Sequence, residues 1–149
     1  MVTDTTTTTT TTVATPAEAI EQRMVKLSSE LDRFIEAVVP ALQPEQIIVF
    51  GSYASGQIHE WSDLDLVVIA ETDLSFQQRL KLVYGQVRPR VGMDIIVYTP
   101  QEWEHMKANR LFVREEILKK GKVIYLRNDA SVLESGFAQA DAEWLSWVR

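Results

Sequence analysis

The sequence predicts an α/β fold in a single domain, and three observations lead there. Segments with apolar residues at spacings of three and four are interleaved along the chain with short runs rich in β-branched residues, the pattern of helices alternating with strands. The 149 residues, 46% of them hydrophobic, suffice for one substantial core and are too few for two domains of ordinary size. Three aspartates, Asp63, Asp65 and Asp94, lie in or beside the apolar strands, so the sheet is expected to carry polar chemistry as well as a core.

Each element has its own signal. Residues 1–15 contain the threonine run Thr5 to Thr12, with almost nothing to bury, and are expected to be a disordered tail. Pro16 suits a first helical turn. After it Ile20, Met24, Leu27, Leu31, Phe34 and Val38 recur at helical spacing until Pro40, which predicts an amphipathic helix with one buried stripe. Pro44 restarts the chain, and Ile47 to Phe50 read as a buried strand ending at Gly51. Asp63 to Ile69 form a second strand. Phe76, Leu80, Val83, Tyr84 and Val87 mark a helix closed by Pro89, and Val91 to Tyr98 a third strand. Pro100 opens a helix with Trp103 and Met106 on its inner side. Leu111 to Lys120 continue as helix, with Gly121 as its left-handed cap, and Lys122 to Leu126 are the last strand. The chain therefore divides into a tail at 1–15, a catalytic domain at 16–126 and a C-terminal segment at 127–149. From Ser131 that last segment carries Val132, Leu133, Phe137, Trp144, Leu145, Trp147 and Val148, and is expected to be helical and to contact a partner or close the fold.

Composition removes several classes of function. A formal charge of −6 argues against direct nucleic-acid binding, which needs a basic surface, and points to a small molecule or a protein as partner. With no cysteine there is neither a disulfide framework nor a thiolate metal site, and His59 and His105 read as surface residues rather than ligands. No apolar run approaches the roughly 18 to 20 residues of a membrane span, and the first residues lack the pattern of a signal peptide. A soluble cytoplasmic protein is expected.

The informative constellation is Gly51-Ser52, ten residues, Asp63-Leu64-Asp65, and then Asp94 inside the strand Val91 to Val97. Residues two apart on a strand share a face, so Asp63 and Asp65 can converge. Two carboxylates about 4 Å apart repel by about 4 kcal/mol at an effective dielectric near 20, and a divalent cation reverses the sign of that interaction. Oxygen-only ligands favour Mg²⁺ or Mn²⁺, and two such ions would stabilise the attacking and leaving oxygens of an in-line phosphoryl displacement. Asp63 and Asp65 are placed to bridge both ions; Asp94 would complete the site and take the acceptor's proton. A glycine at the end of a strand lets backbone approach a phosphate, and Ser52 would open a helix aimed at the triphosphate. Arg88 and Arg90, ahead of the Asp94 strand, could add positive charge there, and Arg90 is the one expected to bind the nucleotide. Trp103 and Met106 are read as core, and Arg114, Glu115 and Glu116 as the solvated face of a helix.

Gly51-Ser52-Tyr53-Ala54-Ser55-Gly56 through Ser62-Asp63-Leu64-Asp65-Leu66-Val67-Val68 resembles the signature of the DNA polymerase β nucleotidyltransferase superfamily. The ten-residue spacer, together with Tyr98-Thr99-Pro100 to Ile117-Leu118 and Gly121-Lys122-Val123-Ile124-Tyr125, resembles its minimal prokaryotic members over roughly residues 45–126. The resemblance implies a mixed sheet flanked by helices, Mg²⁺ held by Asp63, Asp65 and Asp94, and ATP bound at Gly51 and Ser52. Ser55 departs from the pattern, since many relatives have Arg or Lys there. Some of these minimal enzymes act as antitoxins that adenylylate a tyrosine of a partner HEPN-domain ribonuclease, and the spacing fits that subgroup. Larger relatives carry a second helical domain for the acceptor, for which this chain has no room, so a HEPN partner would complete the site. Two alternatives stand beside this reading. One is a small-molecule, aminoglycoside-type nucleotidyltransferase acting as a homo-oligomer. The other is an antitoxin that neutralises its partner by contact, with little turnover.

Overall fold

The computed structural model describes residues 11–127; most of the threonine-rich tail lies outside them, as does the C-terminal segment from residue 128 with the helix expected there. The first helix, α1 (Pro16–Leu42), starts on a reciprocal cap in which the Thr15 hydroxyl accepts from the Glu18 N–H and the Glu18 carboxylate accepts from the Thr15 N–H. It runs past Pro40, the expected stop, and ends where Gln43 turns left-handed at φ 48°. Proline is tolerated there because the carbonyl it leaves without a donor belongs to Glu36, on an exposed turn that water can reach. Leu27, Leu31, Phe34 and Val38 are buried as expected, whereas Ile20 and Met24 are exposed. Only the second half of the helix packs its apolar stripe.

The strands β1 (Gln46–Phe50), β2 (Leu64–Ile69), β3 (Met93–Tyr98) and β4 (Lys122–Leu126) form a sheet of order β3-β2-β1-β4. β1 is antiparallel to β2 and β4, and β2 is parallel to β3, so the sheet is mixed. The parallel pair requires a crossover, which α3 (Phe76–Val87) supplies. A short helix, α2 (Gly51–Ser55), follows β1, and α4 (Pro100–Asn109) follows β3.

Strand alternation sorts the apolar residues into two clusters. On one face Ile47, Val49, Leu64, Leu66, Val68, Met93, Ile95 and Val97 pack against α1 and α3. On the other, Ile48, Phe50, Val67 and Ile69 meet Trp103 of α4 and Val113 and Ile117. The last two belong to a segment expected to continue as ordinary helix. Instead the chain extends at Arg110 and rewinds as a π-helix, Val113–Leu118, closed by a bond from the Lys119 N–H to the Arg114 carbonyl five residues back. Gly121 is not left-handed. Its N–H bonds the Ile117 carbonyl at 2.9 Å, and a Cβ there would collide with that same oxygen, so glycine is needed for close approach and not for a positive φ.

Candidate active site

Strand β1 ends at Phe50, directly opposite Asp65 on β2. The next residue, Gly51, turns the chain at φ 72°, and a Cβ built on it would overlap the Asp65 carboxylate. Glycine is thus required twice, by conformation and by the side chain lying against it. Ser52 stands half-buried in the first turn of α2, and the exposed Ser55 hydroxyl donates to the Ser52 carbonyl at 3.3 Å.

Asp65 and Asp94 are register partners across the parallel pair β2–β3. By alternation both point to the face of Val67 and Ile96, at the end that the π-helix and α4 leave open. Burial pushes the Asp65 carboxyl up to about 6, and the Asp94 carboxylate beside it, repelling and hydrogen-bonding at once, adds to this, with Asp63 contributing further. Asp63 sits one residue ahead of β2 rather than within it. Its side chain lies over Gly92, where a Cβ would fall 2.5 Å from Oδ1, and that oxygen accepts from Arg23 Nη2 of α1 at 3.3 Å. The three aspartates thus share one face and one end of the sheet.

Among the described residues, no three carboxylate, histidine or cysteine side chains close around a point as a preformed cage. Asp65 and Asp94 are in contact, while Asp63 is turned toward Arg23. This donor set still suits a hard divalent cation: all its ligands are oxygen, and the Asp94 and Asp63 charges, which add to burial in raising the Asp65 pKa, are ones a cation would neutralise. Mg²⁺ keeps waters and takes substrate phosphate oxygens, so an open set is what it uses.

Arg90, expected at the triphosphate, has its backbone tied to α1 while its side chain is exposed. Its backbone N–H donates to the buried Glu30 of α1 at 3.0 Å. Burial raises the pKa of Glu30, but the Arg90 N–H and the Arg33 guanidinium outweigh it and hold the carboxyl below its ordinary value. His59 and His105 are exposed, Trp103 is buried and Met106 packs beside it. Two neighbours of the carboxylates went unnoticed in the sequence. Tyr84, read only as one of the residues marking α3, is partly exposed; its hydroxyl donates to the Met93 carbonyl at 2.7 Å, and burial together with the nearby Asp94 raises its pKa. Arg23 had a legible signal, because 23, 27, 31, 34 and 38 form one helical stripe with an arginine at its head.

A groove of about 750 Å³ between α1 and β4 includes none of the three aspartates. Size does not locate the chemistry here, because a metal-nucleotide site is set by charge and can be shallow until substrate fills it. A second pocket of about 500 Å³ does lie on the carboxylate face, between Ser55 and the end of the π-helix, over Ile48, Ile117 and Val123.

Comparison with known proteins follows the same lines. A profile of the family described as Polymerase beta, Nucleotidyltransferase matches residues 32–130. A protein of Methanocaldococcus jannaschii, named as a candidate protein adenylyltransferase, is 34% identical over 85 residues, covering 54% of this chain and 78% of its own. The fold is similar to the crystal structure of a candidate nucleotidyltransferase from Sulfolobus solfataricus, with a TM-score of 0.55 at 18% identity over 73% of this chain and 88% of that one. A chain from the Shewanella oneidensis complex of a tri-AMPylated HEPN toxin with an MNT antitoxin aligns over 83% of this chain and 93% of its own, at 16% identity and a TM-score of 0.40.

Proposed function

The chain belongs to the polymerase beta nucleotidyltransferase family, and from that premise we propose that it is a Mg²⁺-dependent protein adenylyltransferase that moves AMP from ATP to a tyrosine hydroxyl of a HEPN-domain partner, acting as its antitoxin. The observation that carries this reading is the register pair Asp65–Asp94 set against the Gly51 turn, with Asp63 on the same face. The protein acceptor draws support from the name borne by the 34%-identical relative. The HEPN partner draws support from the Gly51-Ser52, ten-residue, Asp63-x-Asp65 spacing.

In this reading the Gly51 and Ser52 backbone and the Ser52 hydroxyl orient the triphosphate, and Asp63 and Asp65 would hold the divalent metal. Two Mg²⁺ ions, when bound, would neutralise the triphosphate and the oxygens that attack and leave. Asp94 stands where the acceptor arrives and takes its proton. The acceptor oxygen bonds to the α-phosphorus, the bond from that phosphorus to the bridging oxygen breaks, and pyrophosphate departs with the electron pair. The exposed side chain of Arg90, ahead of the strand that carries Asp94, would add positive charge toward the triphosphate.

The test is incubation with a HEPN-domain protein from the same genome and ATP labelled at the α-phosphate. Label on the partner, lost when Asp63 and Asp65 are changed together to Asn, is expected. No transfer from any nucleotide would sink the proposal, as would neutralisation of the partner that survives the double substitution.

A further inference from the structure

We propose that Arg23 is a positioning residue for the carboxylate of Asp63. The inference rests on Asp63 being a metal ligand as set out above, and it adds a residue supplied from outside the matched family region, which begins at residue 32.

Arg23 reaches across from α1 to the loop that leads into β2. Its Nε donates to the Ser62 carbonyl at 2.8 Å and its Nη2 to Asp63 Oδ1 at 3.3 Å. The guanidinium is largely enclosed, with 18% of the side chain exposed against 54% for Asp63. The loop it grips is itself fixed: Ser62 is buried, its hydroxyl accepts from the His59 N–H at 2.9 Å, and its own N–H donates to the His59 carbonyl at 3.0 Å. On its other side the Asp63 carboxylate lies over the bare backbone of Gly92. The carboxylate is therefore held between a fork anchored on rigid backbone and a glycine that makes room for it. A half-exposed aspartate without this fork would sample several rotamers. With it, Oδ1 is engaged and Oδ2 remains for a cation, the arrangement by which outer groups orient metal ligands.

The apolar content of α1 points the same way. Ile20, Met24 and Val25 around Arg23 are exposed, so this half of the helix buries little hydrocarbon. What the stripe of Leu27 and Leu31 continues into is the guanidinium, and the contact it makes is with Ser62 and Asp63. The arginine's charge also offsets part of the repulsion among three carboxylates.

The experiment measures Mn²⁺ binding to the full chain by electron paramagnetic resonance, with α,β-methylene-ATP present, for the wild type, Arg23→Ala and Arg23→Met. Methionine keeps much of the apolar stem and loses both hydrogen bonds, so it tests the idea if alanine unfolds the helix; circular dichroism establishes which variant is folded. A folded variant is expected to bind Mn²⁺ about 10-fold more weakly, with nucleotide binding in the absence of metal unchanged. Mn²⁺ affinity within twofold of wild type overturns the role of Arg23 alone. A wild-type protein with no saturable Mn²⁺ site overturns the metal role of Asp63 on which it rests.

Discussion

The two faces of strands β2 and β3 are built from the same residues taken alternately, yet they have opposite fates. Leu64, Leu66 and Val68 with Met93, Ile95 and Val97 are sealed beneath α1 and α3. One position along, Asp65, Val67 and Ile69 with Asp94, Ile96 and Tyr98 face α4 and the π-helix, which cover the apolar end of the row and leave the acidic end open. The difference teaches that the site is an interruption in a core and not an addition to a surface. Two carboxylates occupy places where the sheet's own periodicity would put hydrocarbon, and they are tolerable because the covering helices stop short.

Asp94→Asn should break that contrast most strongly: AMP transfer is expected to fall about 10³-fold, through loss of several kcal/mol of metal-borne stabilisation. Thermal unfolding should barely change, because Asp94 is exposed. The opposite face should respond in the opposite sense. Leu66→Ala, at a residue with 0% exposure, is expected to cost about 3 kcal/mol in urea unfolding, with turnover per folded molecule retained. The smallest effect sharpens the comparison through pH. The Asp65 carboxyl is raised from 3.8 to about 6 in the folded chain. The folded state therefore binds this proton more tightly than the unfolded state, so metal-free stability falls as pH rises from near the ordinary value toward 6. Asp65→Asn should accordingly stabilise the metal-free protein at pH 7.5 by about 1 kcal/mol once solvent screening is allowed for. That gain should vanish by pH 4; equal stabilisation at both pH values would remove the electrostatic account.

Much of this was legible because it depends on periods and on residue types with few uses. Alternation placed Leu64 and Leu66 opposite Asp65, and Gly51 before Ser52 marked a turn that only glycine could make. The helix through Leu27, Leu31, Phe34 and Val38 followed from spacing alone. Spacing overreached at Ile20 and Met24, where the helix outruns the sheet it packs on, and at Leu111 to Lys120, where one extra residue per turn gives a π-helix that no periodicity signal distinguishes. The contacts of Arg90 lay beyond spacing for a related reason. An arginine near a motif is visible in a sequence, but the partner of its backbone N–H, here Glu30 from 60 residues earlier, is not.

The sequence by itself determined the alternating elements, the two sides of each strand and the three aspartates, because these follow from local geometry and side-chain chemistry. Only the tertiary structure decided that β3 lies parallel to β2 in the register that sets Asp94 beside Asp65, that Arg23 reaches Asp63, and that α4 and the π-helix end short of both. Those are choices between surfaces far apart along the chain, and they are settled by which packing buries the most hydrocarbon while leaving each polar group a partner.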